Sequence, residues 1–489
     1  MLMNKLLLII IIIPLIGCLN IIFLKDINKV KKIGLFYSIL TLFFIGILLI
    51  NFKKNISTFQ YVIQIDWIPF LNFSCFLGVD GISIYLICLT GILIPICLLS
   101  NWNNIKFGVK LYIILFLTME SMLFLVFSIL DILGFYIFFE SILIPMYLII
   151  GIWGAREEKI LAGYYFFIYT LIGSVLFLLS IIYIYYEIGT TNYIYILNYK
   201  FNFYQQIFLW LGFFFSLAVK IPKIPFHIWL PQAHVEAPLG GSIILAGVLL
   251  KIGGYGFIRF SISLFPDASV YFLPFIYLCS VLAVIYASLT TIRQIDMKRI
   301  IAYSSVAHMS IVTLGIFSGS IEGLEGSIFL MIAHGIVSSS LFIMVTILYD
   351  RYHSRLLKYY RGVTYYMPLY SFFFLIFSLA NIAMPLTCNF IGEVYILISV
   401  FKFNFFIGLL SSLGMVLSAS YSLFFYNRVC FGYISKYLET DNKHRDLNRR
   451  EFFLILPLFY LSIILGIMPN TILDFLHKSS YMIIYLTLN

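Results

Sequence analysis

The chain has 489 residues, of which 62% are hydrophobic and 11% charged, with a net charge of +10 and a mean hydropathy of +1.03. An ordinary soluble domain carries roughly a quarter charged residues, so a soluble fold of this size is excluded, as are disordered, collagenous and small disulfide-scaffold classes. A polytopic membrane protein remains. Backbone groups cannot go unpaired in hydrocarbon, so its apolar runs must be helices.

Spanning runs are expected near 5–24, 33–51, 76–99, 111–130, 132–153, 160–186 and 204–221. They continue near 240–262, 270–291, 300–318, 326–348, 367–400, 404–426 and 452–470, which makes fourteen. Runs 4 and 5 abut, and Asp131 marks the turn between them. Met1–Leu24 lacks a small-residue cleavage site and leads into a Lys-rich loop, so it reads as an uncleaved helix. The longest polar stretch, 427–451, reads as a loop.

Of the 31 Lys and Arg residues, 21 fall in loops after odd-numbered runs, seven on the other side with the termini, and three within or beside helices. That asymmetry places the odd loops on the cytoplasm-like side and both termini opposite. It also explains the basic charge without nucleic acid. The seven cysteines include no CxxC pair and read as small buried hydrophobes rather than metal or iron–sulfur ligands.

An ionisable group deep in a membrane helix costs about 2.5–3.5 kcal/mol, so each is a functional candidate. Asp26, Asp66, Asp296, Asp350 and the 439–451 cluster read as solvated helix ends. Glu140, in FYIFFESILIPMYLIIGIWG, does not. Pro145 should kink its helix five residues later. Lys220 ends LWLGFFFSLAVK just before Pro222 and Pro225, which should break run 7 at membrane depth, as in transporters. Lys223 has a snorkelling route to an interface and is the weaker candidate. Lys251 shares a face with Gly247 and Gly254, leaving room for water or a close-packed helix. His308 shares a face with Ser304, and His334 with Ser338, which suits a hydrated proton path or a packing hydrogen bond. His227 and His234 flank WLPQA and read as loop residues. Glu393 follows a second break at Pro385 in run 12, where freed backbone groups and water should surround it.

The residues form a series of acid, base, base, histidine, histidine, acid over six runs, which is the inventory of a proton relay. Paired breaks point to two inverted half-bundles. The expected fold is therefore all-α, with fourteen transmembrane helices and helices 7 and 12 broken. Residues 1–110 hold helices 1–3, and 111–262 the first half-bundle (helices 4–8). Residues 263–430 hold the second half-bundle (helices 9–13), and 431–489 the C-terminal loop and helix 14.

AVKIPKIPFHIWLPQAHVEAPLGGSIILAGVLLKIGGYG closely resembles the antiporter-like subunits of respiratory complex I and their cation/proton antiporter relatives. HVEAP and NFIGE look like the subunit 4 branch of that family, and the resemblance covers roughly 75–430. It implies that Glu140 partners Lys220, that Lys251 is the central lysine, and that His308 and His334 are hydrophilic relay positions. It implies that Glu393 is the terminal proton-exchange carboxylate, where sister subunits usually carry Lys. Gln232 stands where the family often has Asp and receives no role, and Lys223 is not a usual family feature.

The implied activity is that of a proton-translocating membrane-arm subunit of NADH:ubiquinone oxidoreductase, a translocase without its own redox centre. NADH, flavin, iron–sulfur clusters and ubiquinone would sit in other subunits. Implied partners are the other membrane-arm subunits, including two sister antiporter-like subunits, and membrane lipids. The implied location is the mitochondrial inner membrane, with odd loops towards the matrix and both termini towards the intermembrane space. A sodium/proton antiporter is the nearest rival, and Lys at position 393 would have favoured it. A haem- or quinone-binding carrier is the rival from another class, and a purely structural role would leave the buried charges unexplained.

Overall fold

The computed structural model describes residues 5–68, 73–435, 437 and 446–488. Lys436, Lys443 and Arg445, counted above for orientation, lie outside the described residues. The first helices are α1 (Leu6–Phe23), α2 (Ile27–Asn51), α3 (Gly81–Ser100), α4 (Val109–Ser128), α5 (Ile132–Trp153) and α6 (Lys159–Ile188). Broken α7 follows as Phe203–Lys220 and Trp229–Glu236. Then come α8 (Leu239–Ile262), α9 (Leu273–Arg293), α10 (Met297–Ile316) and α11 (Ile321–Tyr352). Broken α12 comprises Pro368–Asn381 and Cys388–Phe403. The last three are α13 (Phe405–Cys430), α14 (Arg449–Ile467) and α15 (Asn470–Leu488). Thirteen described helices are long and apolar enough to cross a membrane, and α12 accounts for the fourteenth expected span.

The structure differs from the expected run of helices at three places. Residues assigned to the start of helix 3 instead form a strand. β1 (Gln60–Ile68) and β2 (Phe73–Val79) pair as an antiparallel hairpin, with Gln64 opposite Phe76. The alternation in QYVIQIDWI is a period-two signal. α3 begins only at Gly81, where Asp80 and Ser83 form a reciprocal capping box. Second, the C-terminal tail is not bare after helix 14. α15 packs back across α3 and α11, with its Phe475 ring against Phe52 and Tyr85. Its polar residues Asp474, His477 and Lys478 interrupt the apolar run and hide it from a spanning-helix search. Third, α8 is not a uniform α-helix: Leu245–Leu249 and Phe257–Ile262 are π-helical on either side of Leu250–Gly256.

Acids at helix starts satisfy orphan backbone donors. Asp131 accepts from Gly134 N–H at 3.0 Å and from the Thr191 hydroxyl at 2.8 Å, which makes the expected turn between α4 and α5. Asp296 accepts from Lys298 N–H at 2.9 Å but is buried, unlike the solvated end expected of it. α5 is interrupted at Ile142, three residues before Pro145, between Ile132–Ser141 and Leu143–Trp153. α8 is buried over its whole length and α11 over 323–348, so these two form the central axis. Around them α2, α6, α9 and α13 expose apolar side chains such as Phe43, Ile172, Leu278 and Val416, as helices facing hydrocarbon or a neighbouring apolar chain do.

Candidate functional site

The two helix breaks and the central pair of helices bring the expected residues together. α7 ends at Lys220, and the Pro222–Pro225 segment carries the chain to Trp229–Glu236. Lys220 is buried, and its ammonium lies 4.3 Å from the centre of the Phe139 ring. Phe139 precedes Glu140, and the Glu140 carboxylate interacts electrostatically with Lys220. Lys220 Nζ and Glu140 Oε1 have no hydrogen-bond partner among the described residues. The Glu140 carboxylate also interacts with the Ser174 hydroxyl.

Lys251 stands at the head of the second cluster, and its side chain has no solvent exposure. Its Nζ donates to the Ala246 carbonyl, which lies in the π-helical turn, and reaches His334 Nδ1 at 2.9 Å. α8 and α11 must lie almost in contact for this. A Cβ built on Gly335 would fall 2.9 Å from Gly247 O and 2.8 Å from Leu89 Cδ2. Gly247 and Gly254 therefore serve close packing rather than water, since a Cβ on Gly254 would meet Met331 Sδ at 2.4 Å. The His334 and His308 rings are 5.6 Å apart between centroids. His308 Nδ1 then lies 2.9 Å from Glu393 Oε1, both groups being buried.

Lys251, His334, His308 and Glu393 thus form one row across α8, α11, α10 and α12. Its serines differ from expectation. Ser304 donates to Ile301 O and Ser338 to His334 O, so they satisfy backbone carbonyls, and the partners of the imidazoles are charged side chains. Glu393 is likewise held by His308 rather than surrounded by the freed backbone of the α12 break.

The link between the two clusters is backbone contact. A Cβ on Gly253 would sit 3.0 Å from both Ile221 N and Leu217 O, so α8 lies directly on the end of the first α7 segment. Lys223 overturns its weaker rank. It does not snorkel: it is 1% exposed, and its Nζ donates to the Ser280 hydroxyl at 3.2 Å. His227 and His234 are also buried, and His234 lies within the short α7 segment, stacked on Phe342 at 4.7 Å.

Sequence reading passed over several buried charges. Glu120 is fully buried in mid-α4, where only the Thr41 hydroxyl at 2.6 Å meets its Oε1; its place inside YIILFLTMESMLFLVFS was the available signal. Arg259 lies two turns after Lys251 and pairs with Asp80 at 2.6 Å. Near the odd-loop end, buried Glu236 faces Arg355 at 3.6 Å, and Lys298 donates to the Ala237 carbonyl at 3.0 Å. No group of three or more metal-capable side chains occurs among the described residues.

Residues 129–418 match the family model described as NADH:quinone oxidoreductase/Mrp antiporter, TM. The chain is 54% identical over 451 residues to NADH-ubiquinone oxidoreductase chain 4 of Metridium senile, covering 91% of each. It is 51% identical to the protein of the same name from Chondrus crispus, covering 96% of this chain and 95% of that one. Among solved structures it resembles a chain of respiratory complex I from Thermus thermophilus with bound NADH, with a TM-score of 0.90 and 25% identity over 98% of this chain and 99% of the other.

Proposed function

The chain belongs to the NADH:quinone oxidoreductase/Mrp antiporter membrane family, and from that premise we propose how its buried charges move protons. It is a proton-translocating membrane-arm subunit of NADH:ubiquinone oxidoreductase, part of an enzyme complex, and a multi-pass inner-membrane protein. Its partners are other subunits of that complex. In our reading these include two sister antiporter-like subunits and the surrounding lipids. The redox cofactors belong to other subunits, with none in this chain. The odd loops face the matrix and both termini the intermembrane space, as the 21-to-seven distribution of basic residues favours.

The observation that carries the mechanism is the row Lys251–His334–His308–Glu393, with polar contacts of 2.9 Å at each end and the two rings 5.6 Å apart between centroids in the middle. An imidazole can take a proton at one ring nitrogen and release another from the second. His308 points Nδ1 at the Glu393 carboxylate, while its Nε2 has no partner among the described residues. A proton leaving the Lys251 ammonium for His334 therefore has an ordered way to Glu393. Glu140 and Lys220 act upstream. While Glu140 holds the Lys220 charge, a second ammonium at Lys251 is tolerated. When Glu140 is neutralised or drawn away, repulsion drives the Lys251 proton along the row. Quinone reduction elsewhere in the complex supplies that change.

Lys251→Met tests this, because methionine keeps the bulk and removes the proton. In the assembled complex in sealed vesicles, proton pumping coupled to NADH oxidation should fall about tenfold or more. Unchanged pumping would remove the row from the mechanism.

A further inference from the structure

Broken α7 carries a second buried lysine whose surroundings differ from those of the first. Lys220 faces Phe139 and Glu140 in the first half of the molecule. Lys223, three residues later, turns to the other side, towards α9 and α10. It is 1% exposed, and no carboxylate lies within ion-pair reach of it among the described residues. Its nearest side-chain partners are the Ser280 hydroxyl at 3.2 Å and the Phe214 ring, whose centre is 5.7 Å away. An ammonium buried without a counter-ion is costly, which marks such a lysine as a functional candidate rather than a structural one.

The hydroxyls beside it continue in one direction. Ser280 Oγ and Thr313 Oγ1 are 3.0 Å apart and fully buried, and unlike Ser304 and Ser338 they meet each other as well as the carbonyls of their own helices, Ile276 O and Ser310 O. Thr313 lies in the last turn of α10, close to where the chain turns into α11. There Ser327 of α11 donates to the carbonyl of Val312, the residue beside Thr313, at 3.1 Å. In the turn itself Ser318 and Ser320 are 3.1 Å apart. Beyond it the exposed pair Glu322–Lys402 marks the molecular surface. The Ser280–Thr313 pair therefore leads from the α7 break towards the side of the molecule that the even loops occupy, where these further hydroxyls lie.

We propose that Lys223 is a further proton-carrying residue, and that it discharges along the Ser280–Thr313 hydroxyls towards the even-loop surface. This inference rests on the proton-translocating reading above. In the step, Lys223 takes a proton given up by the Lys220 ammonium and relayed by water across the α7 break, leaving Lys220 a neutral amine. Lys223 then passes a proton to the Ser280 oxygen as the Ser280 hydroxyl releases its own to Thr313 and Thr313 releases its own to solvent water at the even-loop end, so no charge stays on a hydroxyl. The row through Lys251 and Glu393 is then one of two outlets from the α7 break. Lys223 is the residue that opens the second.

The test uses the assembled complex in sealed vesicles, reading protons moved per NADH oxidised, with assembly followed on native gels. Lys223→Met removes the titratable group. Lys223→Arg keeps a charge that cannot be given up. Thr313→Val keeps the shape of the side chain and deletes only its hydroxyl. All three should lower the proton stoichiometry while the complex assembles, and Lys251→Met provides the reference. If Lys251→Met loses pumping while Lys223→Met keeps the parental stoichiometry, the proposal is overturned and the relay reading stands. If Lys223→Arg pumps normally, the site needs only a charge, and proton carriage is refuted. If Lys223→Met fails but Thr313→Val does not, the hydroxyl file is refuted as the outlet. Parental pumping in Lys251→Met as well would bring down the underlying reading.

Discussion

At Glu140 an amide separates charge from shape. Glu140→Gln preserves the side-chain volume next to Lys220 but cannot balance an ammonium, so the Lys220 charge loses its electrostatic partner. The expected outcome is an assembled complex in which pumping and coupled NADH oxidation fall together, measured as stoichiometry in vesicles. Normal stoichiometry would dismiss the role. Glu393 makes a sharper case, because it ends the row. Glu393 Oε1 lies 2.9 Å from His308 Nδ1, where a carboxylate balances a protonated imidazole and an ammonium repels it. Glu393→Lys would therefore oppose a proton arriving at His308, and we expect it to fail as fully as Glu393→Ala in vesicle pumping. A lysine variant that pumps would mean that the position needs only a titratable group, whatever its sign.

Among elements, the contact between α8 and α11 is the most constrained. Their approach lets Lys251 meet His334, and it depends on bare backbone at Gly335 and Gly247. Gly335→Ala must displace Leu89 or the α8 backbone, and overpacking of this kind costs about 1–3 kcal/mol. A lower thermal stability of the complex, with pumping reduced beyond its loss in abundance, is the expected result. Parental values for both would show that the close approach is dispensable. The sequence carried this element only in part. Lys251 and its flanking glycines were visible because helical periodicity puts them on one face, but periodicity does not tell whether water or another helix fills the space beside them. The π-helical turns were invisible, since no local residue pattern marks them and they arise from packing. Both helix breaks could be read because proline acts locally on the backbone. The partners of His308 and His334 could not be read, since they come from α12 and α8, tens of residues away. Lys223 was misjudged for the same reason: an aliphatic stem can snorkel or stay buried, and only the position of Ser280 decides which.

For the molecule as a whole, the question is what keeps the relay helices registered against the rest of the bundle while charges shift inside it. One tie stands out. Arg259 leaves α8 two turns beyond Lys251 and pairs with Asp80, the residue that caps α3. The rings of Phe59, Tyr193 and Tyr255 surround the guanidinium at 4.9, 5.7 and 5.3 Å. α15 closes over the same region, where a Cβ on Gly81 would lie 2.0 Å from Phe475 O. The α3 cap, α8 and α15 therefore meet at one buried ion pair. Such a pair adds little over a well-packed apolar one, but losing a single partner strands a charge and costs about 3–5 kcal/mol. Asp80→Asn retains a cap acceptor for Ser83 N–H yet leaves Arg259 without its counter-charge, so assembled complex should become scarce and melt at lower temperature. Adding Arg259→Gln removes the stranded charge, and the double variant should recover part of what the single variant loses. That recovery would be read as a coupling between the two positions in thermal melts of the complex. Additive losses would mean that the two residues act separately, and a fully stable Asp80→Asn complex would mean that the bundle is held by packing alone.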